Sequence, residues 1–189
     1  IMINGLMLLA TWVLQSAAQI DLTEKLGVYF PASEQFRPFQ IVTHMFMHGG
    51  LSHIFFNMFG LVMLGVLLER VWGPQRYLLF YFTTGFGAVI LYMLFQAYLI
   101  YQTTGSVNPS MAVLEAHPEI FGTYFSSAVG ASGALFGILT ASAMLFPNTE
   151  LNIMFLPVRI RTKYFVAGYV LIELYMGFAR YRGDDVAHF

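Results

Sequence analysis

Ser132 sits in Gly130-Ala131-Ser132-Gly133, inside an apolar run that continues to Phe146. A serine hydroxyl is a weak nucleophile until a base takes its proton. His188 is the one histidine on a later apolar segment and can serve as that base. Acyl transfer also needs donors aimed at the developing oxyanion. His53-Ile-Phe-Phe-Asn57 supplies two, because positions i and i+4 share a helix face. The backbone N–H of Ser132 adds a third if a helix begins there, since the first N–H groups of a helix lack an internal partner. Plainer readings stand beside these. Gly133 and Gly137, at i and i+4, are most often helix packing. A His-xxx-Asn pair alone is more often an interhelical hydrogen bond, and His188 alone says little. His44, His48 and His53 invite a metal reading, because histidines four apart can bind zinc on a helix. No His-Glu-x-x-His occurs, and Pro38 and Gly49-Gly50 argue for looped backbone, so no metal is expected.

These residues need elements to hold them, and composition says which kind. Of 189 residues, 58% are hydrophobic and 10% charged. Soluble domains carry about 25% charge, so a water-soluble monomer is close to excluded. A membrane-spanning helix needs about 20 apolar residues, and the pool feeds five or six. The expected fold is all-α: one polytopic domain over 1–189, with spans at about 1–18, 51–72, 76–101, 126–146 and 164–179. A sixth, from 185 onward, is cut short at Phe189. Gly73-Pro74 ends the second span cleanly. Pro31 and Pro38 break the amphipathic stretch 19–50 into short helices and turns at the membrane surface. The chain opens on Ile1, so its true start is expected to lie further upstream. The net charge of −1 offers no footprint for nucleic acid. With no cysteine, disulfides and thiolate chemistry are excluded.

Lys and Arg in short loops set orientation. Arg70 and Arg76 flank one turn, and Arg159, Arg161 and Lys163 lie in the 147–163 loop, so both connections are expected on the cytoplasmic side. The 102–124 loop has neither residue type and is expected outside. At about 1.5 Å per helical residue, Asn57 lies about 22 Å above the inner end of its span and Ser132 about 21 Å above its own. In a hydrocarbon core about 30 Å thick, both come to a similar level below the outer surface. His53 is one turn higher, and His188 lies close to the outer face. Four polar groups from three spans thus converge at one depth, and polar groups in hydrocarbon mark functional sites by default.

Together these residues resemble the rhomboid family of intramembrane serine proteases. His48-Gly-Gly-Leu-Ser-His53-Ile-Phe-Phe-Asn57 is similar to the family's second-span motif and the loop histidine before it. Gly130-Ala131-Ser132-Gly133 is similar to its Gly-x-Ser-Gly, Ala187-His188 to its sixth-span base, and Glu69-Arg70-x-x-Gly73 to its short cytoplasmic turn. The resemblance implies a Ser132–His188 dyad with no third acid. It implies an oxyanion site from His53, Asn57 and the Ser132 backbone, and a structural role for His48, Gly130 and Gly133 nearby. It implies cleavage of single-span or membrane-anchored proteins in the bilayer, without metal or cofactor. The expected location is a bacterial cytoplasmic membrane, with the site opening to the outer side. Two departures stand out. Phe39-Gln40 replaces the family's Trp-Arg pair in the first loop, and Phe136 stands where some members have Tyr, able to stack on His188 but not to hydrogen-bond. The alternative is a catalytically silent rhomboid-like factor that binds membrane clients; such relatives usually lack the Ser or the His, and both are present here.

Overall fold

The computed structural model describes residues 1–153 and 158–181. The first helix, α1 (Met2–Ala18), ends where Gln19 turns left-handed at φ 55°. Asp21 then caps α2 (Leu22–Leu26), its carboxylate accepting the Thr23 N–H at 2.7 Å. After α3 (Gln40–Thr43) and a 3₁₀ turn (His44–Phe46), one helical rod runs from Leu51 to Trp72. It comprises α4 (Leu51–Gly60), a π-helical stretch (Leu61–Gly65) and α5 (Val66–Trp72). Gly73, at φ 78°, reverses the chain in one residue, and Pro74 opens α6 (Pro74–Thr104) at a position where its missing N–H costs nothing. The short helices α7 (Met111–Glu115) and α8 (Pro118–Phe125) lead to α9 (Ser132–Leu145). A hairpin of β1 (Glu150–Asn152) and β2 (Arg159–Arg161) precedes α10 (Thr162–Tyr181).

The apolar helix α9 is the axis of the bundle. It packs along α6 and also touches α4, the π-helical stretch, α5 and α10. Its buried Ala134, Leu135, Ile138 and Leu139 join Leu61, Leu64, Leu68, Tyr81 and Val166 in the main core. Small residues allow the close approach to α6. A Cβ on Gly133 would lie 2.6 Å from that of Ala88, and one on Gly137 2.5 Å from Thr84 Cγ2. Outside this axis the polarity of a soluble protein is inverted. Leu79, Leu91, Leu94 and Phe95 on α6 are exposed, whereas Asn4, Asn57 and Gln96 are buried. Leu51–Trp72 and Pro74–Thr104 are long and apolar enough to cross a membrane, and most of each faces outward. Such faces are stable against lipid and costly against water.

The helical rods start and stop near the expected positions, with three differences. The apolar run 126–146 is helical only from Ser132; residues 126–131 are irregular, with Ala128 bridged to Val28. The 102–124 loop contains α7 and most of α8, which Pro118 opens at its first position. The 147–163 loop holds a hairpin, the only strand pair among the described residues, in a chain expected to be all-α. The sixth span, from 185 onward, lies outside the described residues.

Candidate active site

His53 and Asn57 stand on the first two turns of α4, where Gly50 lets the extended chain enter the helix. The Gly49 N–H donates to His53 Nδ1 at 3.3 Å. A nitrogen that accepts carries no proton, so the neutral imidazole holds its hydrogen on Nε2. That Nε2 faces Gly130. A Cβ built on Gly130 would fall 2.9 Å from His53 Nε2 and 3.5 Å from Ser132 Oγ. Gly130 is therefore required twice: its φ of 129° suits glycine alone, and the imidazole occupies the side-chain position. The imidazole edge and the Ser132 hydroxyl flank one point.

One turn below, the Asn57 Nδ2 donates to the His53 carbonyl at 2.9 Å. Its second N–H is left for another acceptor. Asn57 is 2% exposed, and its Oδ1 has no partner among the described residues. Ser132 is the first residue of α9, so its N–H is one of the donors a helix start leaves unpaired. The segment before it is held from outside. Val28 and Ala128 exchange backbone hydrogen bonds at 2.9 and 2.8 Å, and the Gly130 N–H donates to the His44 carbonyl at 2.9 Å. Beside Ser132 lies a cavity of about 250 Å³, lined by Val28, His44, Gly85, Ala88, Tyr92 and Gly133.

The other candidates fall around this point. His48 is 2% exposed and meets the His53 ring edge-on at 5.1 Å between centroids. Neither of its nitrogens has a hydrogen-bond partner among the described residues. Burial, helped by the nearby His53, pushes its pKa down to about 4, so it is neutral at physiological pH. His44 is also lowered by burial, and its Nδ1–H is committed to the Gln40 carbonyl at 2.9 Å. The described residues include no cluster of three or more His, Asp or Glu suited to a metal. Phe136 points at α10, packing edge-on with Tyr169 at 6.4 Å. His188 lies outside the described residues.

Gln40 is a positioning residue that the spacing of side chains did not reveal. It is 1% exposed. Its Nε2 donates to the carbonyls of Lys25 and Gln35, both at 3.2 Å, and its Oε1 accepts the Arg37 N–H at 2.9 Å. It ties the first loop together at the place where the family's Trp-Arg pair is missing. Its partners are backbone groups, which leave no pattern in a sequence.

The Rhomboid domain family model matches residues 35–189. Rhomboid protease GluP of Bacillus subtilis is 30% identical over 149 residues, 79% of this chain and 23% of the relative. RHOMBOID-like protein 6, mitochondrial, of Arabidopsis thaliana is 37% identical over 75 residues, 40% of this chain and 23% of the relative. Inactive RHOMBOID-like protein 8 of the same plant is 26% identical over 115 residues, 60% and 32% of the two chains. The chain thus spans about a quarter to a third of the length of these relatives. No solved structure matches it. With a family model covering most of its length and the motif residues gathered at one end of an apolar helical bundle, the chain belongs to the rhomboid family of membrane proteins.

Proposed function

We propose that this chain is the membrane core of an intramembrane serine endopeptidase in which Ser132 is the nucleophile and His188 its base. The observation that carries the reading is the approach of His53 Nε2 and Ser132 Oγ to one point beside Gly130, at 2.9 and 3.5 Å from where its Cβ would stand. In the proposed reaction His188 takes the hydroxyl proton as Ser132 Oγ attacks a substrate carbonyl carbon. The new oxyanion accepts from His53 Nε2–H, the free Asn57 N–H and the Ser132 N–H. Its collapse breaks the C–N bond, and His188 returns the proton to the leaving amine. Water, activated by the same base, then hydrolyses the acyl-serine ester. The sequence of steps consumes one water and needs neither metal nor cofactor.

The substrates on this reading are single-span or membrane-anchored proteins, cut within or near the spanning segment, in a six-span bundle whose last helix brings His188 to the outer end. A bacterial cytoplasmic membrane, with the site opening outward, is the setting proposed; the likeness to a Bacillus subtilis relative supports a bacterial setting, and the likeness to a mitochondrial relative favours an organelle membrane instead. The likeness to the relative named inactive favours a second reading, a client-binding factor without catalysis. The retention of both Ser132 and His188 weighs against it. The two readings separate when full-length protein in detergent is treated with a fluorophosphonate and the adduct is mapped. Labelling at Ser132 is expected, and Ser132→Ala should abolish cleavage of a single-span reporter without lowering thermal stability. Unreduced proteolysis in Ser132→Ala would rule out the dyad.

A further inference from the structure

At the end of the bundle away from Ser132 the chain builds a small basic platform. The Leu51–Trp72 rod and α9 run in the same direction, since His53 and Ser132 meet at their starts. Their other ends therefore gather the Gly73 turn and the β1–β2 hairpin. The hairpin pairs Glu150 with Arg161, Leu151 with Ile160 and Asn152 with Arg159. Leu151 is buried in the main core, which leaves Glu150, Asn152, Arg159 and Arg161 on the outer face. The base is clipped shut: the Thr149 carbonyl accepts both the N–H and the hydroxyl of Thr162, at 2.9 and 3.0 Å, and the Lys163 N–H donates to the Pro147 carbonyl.

We infer that this face docks anionic phospholipid headgroups of the inner leaflet. Alternate residues on a strand face sit about 6.7 Å apart, a span over which Arg159 and Arg161 can grip one phosphodiester between two guanidinium forks. The Arg159 side chain is 74% exposed, and its one ion-pair partner among the described residues, Glu150, is long and exposed at 3.8 Å. Such a pair contributes little and yields readily to a phosphate. Lipid rather than a soluble phosphate is indicated by the surroundings. Val158 and Tyr164 are exposed apolar neighbours, and Lys163 Nζ stands 5.2 Å over the Tyr164 ring. Cations interleaved with exposed apolar and aromatic side chains match the headgroup layer. Arg70 and Arg76 at the same end add to the field, and among the described residues only Glu69 and Glu150 oppose it there. The inference rests on the membrane setting and not on the chemistry of Ser132, so failure of one leaves the other intact.

The test is native mass spectrometry of the full-length protein in detergent with equimolar phosphatidylglycerol and phosphatidylcholine of identical acyl chains. Each surface cation favours an anionic lipid by about 1 kcal/mol, roughly fivefold. Bound phosphatidylglycerol should therefore exceed phosphatidylcholine at least fivefold, and Arg159→Gln/Arg161→Gln should lower the ratio about fivefold or more, leaving the part that Arg70, Arg76 and Lys163 supply. Lys25→Gln/Arg37→Gln, at the opposite end, should leave it unchanged. Glu150→Gln should raise it, which keeps the test decisive if the double variant proves unstable. Equal retention of the two lipids, or a preference undiminished in the Arg159/Arg161 variant, overturns the inference. So does displacement of the bound lipid by millimolar glycerol phosphate, which would mark a site for soluble anions.

Discussion

Gly49, by donating its backbone N–H to His53 Nδ1, decides which ring nitrogen faces Ser132. A residue without a side chain thereby turns a histidine into a fixed donor, and the buried His48 ring packed edge-on behind it limits its rotation. The neutrality of His48 matters here. A charge 5.1 Å from the His53 centroid would favour a different proton arrangement, and burial prevents it above a pH of about 4. In the proposed reaction His53 and Asn57 act mainly in the transition state. Removing one oxyanion donor from a hydrolase costs about 10²–10³ in kcat. The Ser132 N–H compensates in part, so His53→Ala and Asn57→Ala should each lower kcat roughly 10–100-fold with KM little changed. The double variant should lose less than the product of the two, because the donors serve one oxygen. Steady-state kinetics on a single-span reporter check this. A rise in KM alone would assign both residues to substrate binding. An unchanged kcat/KM would return them to a structural pair, joined as Asn57 Nδ2 already is to the His53 carbonyl.

The contact between α6 and α9 is what sets the height of Ser132. Its tightness comes from Gly133 against Ala88 and Gly137 against Thr84. Ala88 has no rotamer to adjust, so a methyl on Gly133 must part the helices. Overpacking of this kind costs about 1–3 kcal/mol. Gly133→Ala should lower the thermal midpoint and the labelling of Ser132 together, and Ala88→Gly/Gly133→Ala should restore both, since the methyl then changes sides. A double variant no better than the single would mean that Gly133 serves the backbone of the serine turn instead. At this scale much was legible in the sequence. Apolar runs of about 20 residues and the Gly73-Pro74 break are strong signals, and they carry four of the helical rods, Met2–Ala18, Leu51–Trp72, Pro74–Thr104 and Thr162–Tyr181. The hairpin was not legible. Glu150-Leu151-Asn152 and Arg159-Ile160-Arg161 are too short to show alternation, and their pairing depends on the ends of α9 and α10. Helix α8 was not legible either, because the proline that opens it breaks a helix as readily as it begins one.

Across the whole molecule, the site is held between two bodies that the sequence keeps apart: the helical bundle, which carries His53 and Asn57, and a cap of residues 19–50 and 105–125. The cap reaches the serine segment through the Val28–Ala128 bridge and the Gly130–His44 hydrogen bond. It is tied elsewhere by the Tyr124 hydroxyl donating to the Ala32 carbonyl at 2.7 Å and by Gln96 Nε2 donating to the Thr123 carbonyl at 2.9 Å. None of these partners is close in sequence, which is why composition and periodicity could place Ser132 at a depth but not say what aims it. Gln40 is the residue on which the cap's own shape most depends. Gln40→Ala would leave the Lys25 and Gln35 carbonyls and the Arg37 N–H without their partner in a buried setting. Unpaired buried polar groups cost about 1–3 kcal/mol each, less where water enters. A loss of about 2–4 kcal/mol is expected, read as a lower thermal midpoint of the full-length protein. Because α2 and the strand-like Val28 would drift with it, kcat/KM on a reporter should fall further than Phe39→Ala makes it fall next door, where the side chain is exposed. Gln40→Glu keeps the acceptor for Arg37 and loses both donated bonds, so it should lie between wild type and alanine. A thermal midpoint that drops while turnover holds would make Gln40 a stabiliser of the cap alone, and would leave the aim of Ser132 to the bundle.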